Sequence, residues 1–170
     1  MFPPSQWKAL TDVATADVAP NEPGGPVIFA YDGSELAAHA IEEAGRQLAT
    51  GREALVLCVW QPVEVGFIPV GNRHFDADRA PEVLKAAEET AAQGAALAQQ
   101  AGFRSQSMVV ETAPTWKGIV ETAEQRKAGL IVIGSHRRGG TLGHLGGSVA
   151  AAVVAHAGPS VLLVHLPSST

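Results

Sequence analysis

The chain has 170 residues, of which 46% are hydrophobic and 17% charged, with a net charge of −5 and a mean hydropathy of +0.10. That length suits one domain with a full core, and the acidic balance excludes a general affinity for nucleic acid or an anionic membrane. A small anion held by local backbone dipoles stays possible.

The start, MFPPSQWKALTDVATADVAP, lacks the basic and apolar blocks of a signal peptide. No apolar run approaches the roughly 20 residues that span a bilayer. A cytoplasmic location is expected by elimination. Residues 1–25 carry four prolines, end in Gly24-Gly25 and show no sustained periodicity, so they read as a flexible arm. Residues 26–167 read as the domain and 168–170 as a tail.

Regular order begins with PVIFAY (26–31), an apolar β-branched run that predicts a buried strand. Asp32-Gly33-Ser34 follows, and Ser34 is placed to cap a helix running to about Ala49, with Leu36, Ala40, Ile41, Ala44 and Leu48 on one face. ALVLCVW (54–60) predicts the second strand and buries Cys58, the only cysteine, as an inert thiol. The uneven segment 61–80, with Arg73, His74, Asp76 and Asp78, has the length of a lid or binding loop. The aspartates there are solvated charges or, less simply, ligands for a cation carried by phosphates. A helix from about Pro81 to Ala101, a strand at Ser105–Glu111, a helix from about Pro114 to Arg126 and a strand at Leu130–Gly134 come next. A helix at Ser148–Ala157 and a strand at Ser160–His165 complete the chain. Trp60 and Trp116 are expected to cover the sheet edges.

Alternation of strand and helix, with near-continuous apolar strands, predicts an α/β fold. Right-handed crossovers then give an open doubly wound five-stranded parallel sheet with helices on both faces. Ligands of such sheets sit outside the carboxyl ends of the strands, where the strand order reverses. Asp32, after the first strand, and the glycine-rich stretch GSHRRGGTLGHLGGSV (134–149), after the fourth, are thereby expected on one crevice.

That stretch fails three known designs. No window supplies G-x-G-x-x-G, and Gly140 stands where a Walker A loop needs its lysine. Gly146-Gly147-Ser148-Val149-Ala150 approaches a nucleophile elbow, but no acidic residue follows Ser148 to orient a histidine. Simpler physics remains. Gly147-Ser148 opens a helix, where unpaired N–H groups and the positive dipole end make a phosphate site. Glycines before it let the backbone approach a ligand. A plain strand-to-helix connection with turn glycines is the competing reading. His136 and His144 share the stretch without a compact ligand spacing, so no metal site is expected. His39, His156 and His165 are expected to be satisfied structurally.

VIFAYDGSELAAHAI and LIVIGSHRRGGTLGHLGGSVAAAVVAHAGPSVLLVH resemble the opening and signature segments of the universal stress protein family. The resemblance spans about Pro26 to His165 and implies strand order 3-2-1-4-5. Nucleotide-binding members carry G-x-x-G-x9-G-[ST]. Gly134 matches the first glycine and Gly147-Ser148 the last pair, while Arg137 occupies the second glycine position. An arginine there either adds charge to the phosphates or crowds them, and Gly139-Gly140, two residues on, favour retained binding.

The resemblance thus implies ATP, with or without magnesium, as ligand. Asp32 would accept from the ribose, and Ala30 and Val59 would flank the adenine. Gly134, Ser135, Arg137, Arg138 and Gly139 would line the phosphates, with Gly147, Ser148 and Val149 at the helix start. It also implies a homodimer paired through the last strand, Ser160 to His165, and a regulatory role in the stress response. No general base stands ready for hydrolysis, so slow hydrolysis or autophosphorylation is the most catalysis expected. The alternatives are a dimeric interaction protein that binds no nucleotide, an enzyme of the wider nucleotide-binding α/β group such as an ATPase or adenylyl-transfer relative, and a binder of another adenine nucleotide such as cyclic AMP.

Overall fold

The computed structural model describes residues 24–61, 80–135 and 149–167. The elements follow the hydrophobic pattern in order: β1 (Val27–Ala30), α1 (Glu35–Gln47), β2 (Glu53–Trp60), α2 (Ala80–Gln100), β3 (Arg104–Glu111), α3 (Thr115–Gln125), β4 (Leu130–Gly134), α4 (Val149–His156) and β5 (Ser160–Val164). Their ends agree with the sequence reading to within two residues, and those of β4 coincide with it. The arm up to residue 23, the segment 62–79 with Arg73, His74, Asp76 and Asp78, the stretch 136–148 and the tail 168–170 lie outside the described residues.

The strands form one parallel sheet in the order β3-β2-β1-β4-β5. Successive side chains on a strand point to opposite faces, and β1 shows why this sheet needs two helical layers. Val27 and Phe29 lie in a cluster with Ala40, Ile41 and Ala44 of α1 and Ala95 and Ala98 of α2. Ile28 faces the other way, towards Ile119, Val120 and Ala123 of α3 and Ala150 and Val153 of α4. Phe29 meets Phe103 edge to face, with ring centroids 5.1 Å apart. Each such large side chain taken fully out of water contributes roughly 1.5–3 kcal/mol.

β3 departs from the expected apolar pattern, because an edge strand needs only partial cover. Arg104, Gln106, Ser107 and Glu111 are exposed, and polar side chains on an edge discourage pairing with another chain. Its buried Ser105 is satisfied, donating from Oγ to Ala95 O at 2.6 Å. Trp116, expected over a sheet edge, lies instead on α3. There it packs against the cluster around Ile28 and stacks on His156 of α4 at 4.4 Å. Trp60 packs with Val109 around Cys58, Ala87 and Ala91.

α2 lies close over the sheet at Gly94. A Cβ there would stand 2.6 Å from Tyr31 Cδ1 and 2.7 Å from Val56 Cγ1, both parts of stiff, buried side chains. In Gly94→Ala the gain in helix propensity, about 1 kcal/mol, opposes an overpacking cost of about 1–3 kcal/mol. The clash is with ring and branched carbons that have nowhere to move, so the cost wins. Urea denaturation should show a net loss of about 1 kcal/mol.

Candidate functional site

The carboxyl edge of the sheet is assembled from three strand ends. β1 runs on past Ala30: Tyr31 N donates to Leu57 O at 2.9 Å and the ring turns into the core. The chain then reverses through Asp32-Gly33-Ser34. Gly33 has φ +81°, a left-handed conformation that glycine adopts without strain. Ser34 N donates to Asp32 Oδ1 at 3.0 Å, and Ala37 N donates to Ser34 Oγ at 3.2 Å. The first bond is an Asx turn and the second an N-cap, so the aspartate shapes the turn that starts α1. A carboxylate has acceptor sites on both oxygens, so this bond leaves it able to accept from a ligand. Asp32 is exposed at the edge.

β4 ends beside this turn. Gly134 approaches α1 so closely that a Cβ would stand 2.6 Å from Leu36 Cγ and 3.1 Å from Leu36 O. Ser135 continues along β5, donating from its N–H to Val164 O at 2.8 Å, while its carbonyl accepts from His165 Nδ1 at 2.6 Å. The end of β2 completes the edge. Thr112 N donates to Trp60 O at 3.1 Å, and Gln61 Nε2 donates to Thr115 Oγ1 at 2.9 Å, tying β2 to the start of α3. Val59 is half-buried, and a Cβ at Gly118 of α3 would lie 3.3 Å from either of its methyl groups.

Of the residues singled out in the sequence, Ala30, Asp32, Val59, Gly134 and Ser135 thus stand at the carboxyl ends of β1, β2 and β4. Ala30 and Val59 pack against the same cluster on the α3 and α4 face. Val149 is half-exposed at the first position of α4. Arg137, Arg138, Gly139, Gly147 and Ser148, with His136 and His144, lie outside the described residues. Sequence reasoning missed Tyr31 and the tie between His165 and Ser135. A tyrosine closing an apolar strand, directly before an aspartate, was the available sign of the first. The second joins residues 30 positions apart and left no local trace.

A sequence model of the universal stress protein family matches residues 25–165. The chain belongs to that family. Among solved structures, this universal stress protein is similar to one solved in complex with cAMP, at 25% identity over 84% of this chain and 98% of that one, with a TM-score of 0.61. It is also similar to the universal stress protein from Archaeoglobus fulgidus, at 22% identity over 82% of this chain and 97% of that one, TM-score 0.58. The complex of the Archaeoglobus fulgidus protein with dAMP matches at 22% identity over 82% and 96%, TM-score 0.58. At 22% identity the likeness shows the fold alone. No curated protein is similar enough in sequence to match. Among the described residues, no group of three or more His, Cys, Asp or Glu is placed to hold a metal ion, and no helix is long and apolar enough to cross a membrane.

Asp32 also sets the electrostatics of the edge. Burial pushes the Tyr31 phenol above its ordinary 10.0, and the Asp32 carboxylate pushes it the same way. The Cys58 thiol is likewise raised above 9.0, by burial first and Asp32 second. Both groups are kept neutral by the folded state. The stability each contributes is fully present below its unfolded-chain value and is lost as pH rises through the folded one. The protein should therefore lose thermal stability at alkaline pH, above the ordinary thiol range. Asp32→Asn keeps the turn's acceptor and removes the charge. Because the chain has one tyrosine, tyrosinate absorbance reports Tyr31 alone, and its titration should move to lower pH in that variant.

Proposed function

We propose that this universal stress protein binds an adenine nucleotide, ATP in the first instance, in the crevice at the carboxyl edge between β1 and β4, and acts as a nucleotide-dependent regulator. The observation that carries the reading is the reversal of strand order between β1 and β4. It sets exposed Asp32 beside Gly134 and Ser135, the entrance to the glycine-rich stretch. Universal stress proteins of the same fold solved with cAMP and with dAMP support it. In this reading Asp32 accepts from the ribose hydroxyls, and Ala30 and Val59 flank the adenine. Ser135, Arg137, Arg138 and Gly139 line the phosphates, with Gly147, Ser148 and Val149 at the start of α4. Magnesium would arrive on the phosphates. Turnover is at most slow.

Nucleotide released by denaturing freshly purified protein, identified by mass spectrometry, and calorimetric titration with ATP, ADP, AMP and cyclic AMP test this. ATP should bind near one to one. Asp32→Ala removes hydrogen bonds to a charged acceptor, about 1.5–3 kcal/mol, so the Kd should rise about ten- to a hundredfold. No heat with any of the four nucleotides would refute the reading.

The same proposal includes a homodimer through residues 160–165. β5 is a sheet edge. The bond from Ser135 N to Val164 O turns the polar groups of Val164 towards β4, so those of Leu163 face the open side. Leu163 is a large apolar side chain left 39% exposed on this edge, and pairing through β5 would cover it. Light scattering should give a dimer mass for the wild type. Leu163→Lys, which puts a charge on an already exposed edge position, should give a folded monomer whose Tm is lower than that of the dimer and no longer depends on protein concentration.

A further inference from the structure

We infer that His165 is a positioning residue for the crevice: its imidazole fixes the peptide at which the chain leaves β4 for the glycine-rich stretch. Gly134 and Val164 form the last register pair of β4 and β5. One residue further, both backbone groups of Ser135 are still held. Its N–H donates to Val164 O at 2.8 Å, and its carbonyl accepts from His165 Nδ1 at 2.6 Å.

The carbonyl of Ser135 belongs to the peptide joining Ser135 to His136, so holding it fixes ψ of Ser135 and with it the direction in which the following residues set out. Locking one backbone residue into a single well removes conformational freedom that ligand binding would otherwise have to take away. Here that freedom sits at the root of a segment rich in glycine, the residue with most of it to lose. Gly134 and Ser135 are thus held from two sides, Gly134 by the approach of Leu36 and Ser135 by β5.

The contact also dictates the chemistry of the ring. A carbonyl only accepts, so Nδ1 carries a proton, and the neutral ring is the Nδ1–H tautomer with Nε2 bare. Protonation of Nε2 leaves the Nδ1–H donor in place, so the tie persists in both charge states. This role rests on the proposed nucleotide crevice only for its consequence in binding; the tie itself does not.

Three substitutions separate the possibilities. His165→Phe keeps a flat ring without a donor, His165→Ala removes both, and His165→Asn returns an N–H donor near the position of Nδ1. Nitrogen-15 NMR of the neutral wild-type ring should show the Nδ1–H tautomer. Amide exchange at Ser135 and His136 should quicken in His165→Phe and His165→Ala and return towards wild type in His165→Asn. Calorimetry should find ATP bound about five- to tenfold more weakly by His165→Phe, the loss of roughly one hydrogen bond, and largely rescued in His165→Asn.

An Nε2–H tautomer, or unchanged exchange in His165→Phe, would overturn the inference. So would quickened exchange with unaltered ATP affinity, since the tie would then position nothing that matters to the ligand. If the wild type itself bound no nucleotide, the proposed function would fall, and tautomer and exchange alone would decide the tie. Thermal melts of the three variants keep a general loss of fold from passing as a local effect.

Discussion

Everything in this molecule depends on three residues being out of water on both faces at once. Val27, Ile28 and Phe29 are almost fully buried, with β2 hydrogen-bonded on one side of them and β4 on the other. A strand in that position can offer no polar side chain, and its backbone is satisfied only if neighbours flank it. One pair of helices must cover each face, and right-handed crossovers then allow one economical path. The chain winds outward through α1, β2, α2 and β3 over one face, returns by α3, and finishes through β4, α4 and β5 over the other. The reversal between β1 and β4 is a by-product of burying β1. The crevice inherits its place from the core.

That dependence explains why the fold was legible. Apolar runs such as VIFA and LIVIG declare a central strand, while alanine spaced along α1 and α2 declares a face thin enough to lie flat on a sheet. The exceptions are instructive. β3 carries Gln106 and Ser107 outward because only one side of it is paired. Trp116 went to a helix–helix contact with His156, which no short-range pattern encodes.

The site was legible to a smaller degree, because its residues serve two masters. Asp32 shapes the turn that begins α1, Val59 supports α3, and Gly134 makes room for Leu36. Each of these demands alone would select the residue found there. A motif read along the chain therefore overlaps with what packing requires at the same positions. What the sequence conceals is long-range: the grip of His165 on Ser135, and the field of Asp32 on Cys58, both of which exist only once the sheet has closed.

The close passage of Gly134 beneath Leu36 has a consequence for descent. A lineage of this chain that abandoned its ligand would still be held to glycine at 134, since any larger side chain would press α1 off the sheet. That glycine would outlive the activity it is taken to signal. Across diverging copies, the first glycine of the motif marks ancestry of fold. Positions with no such neighbour are free to drift once binding is no longer selected, and it is there that the loss of a ligand would first be written.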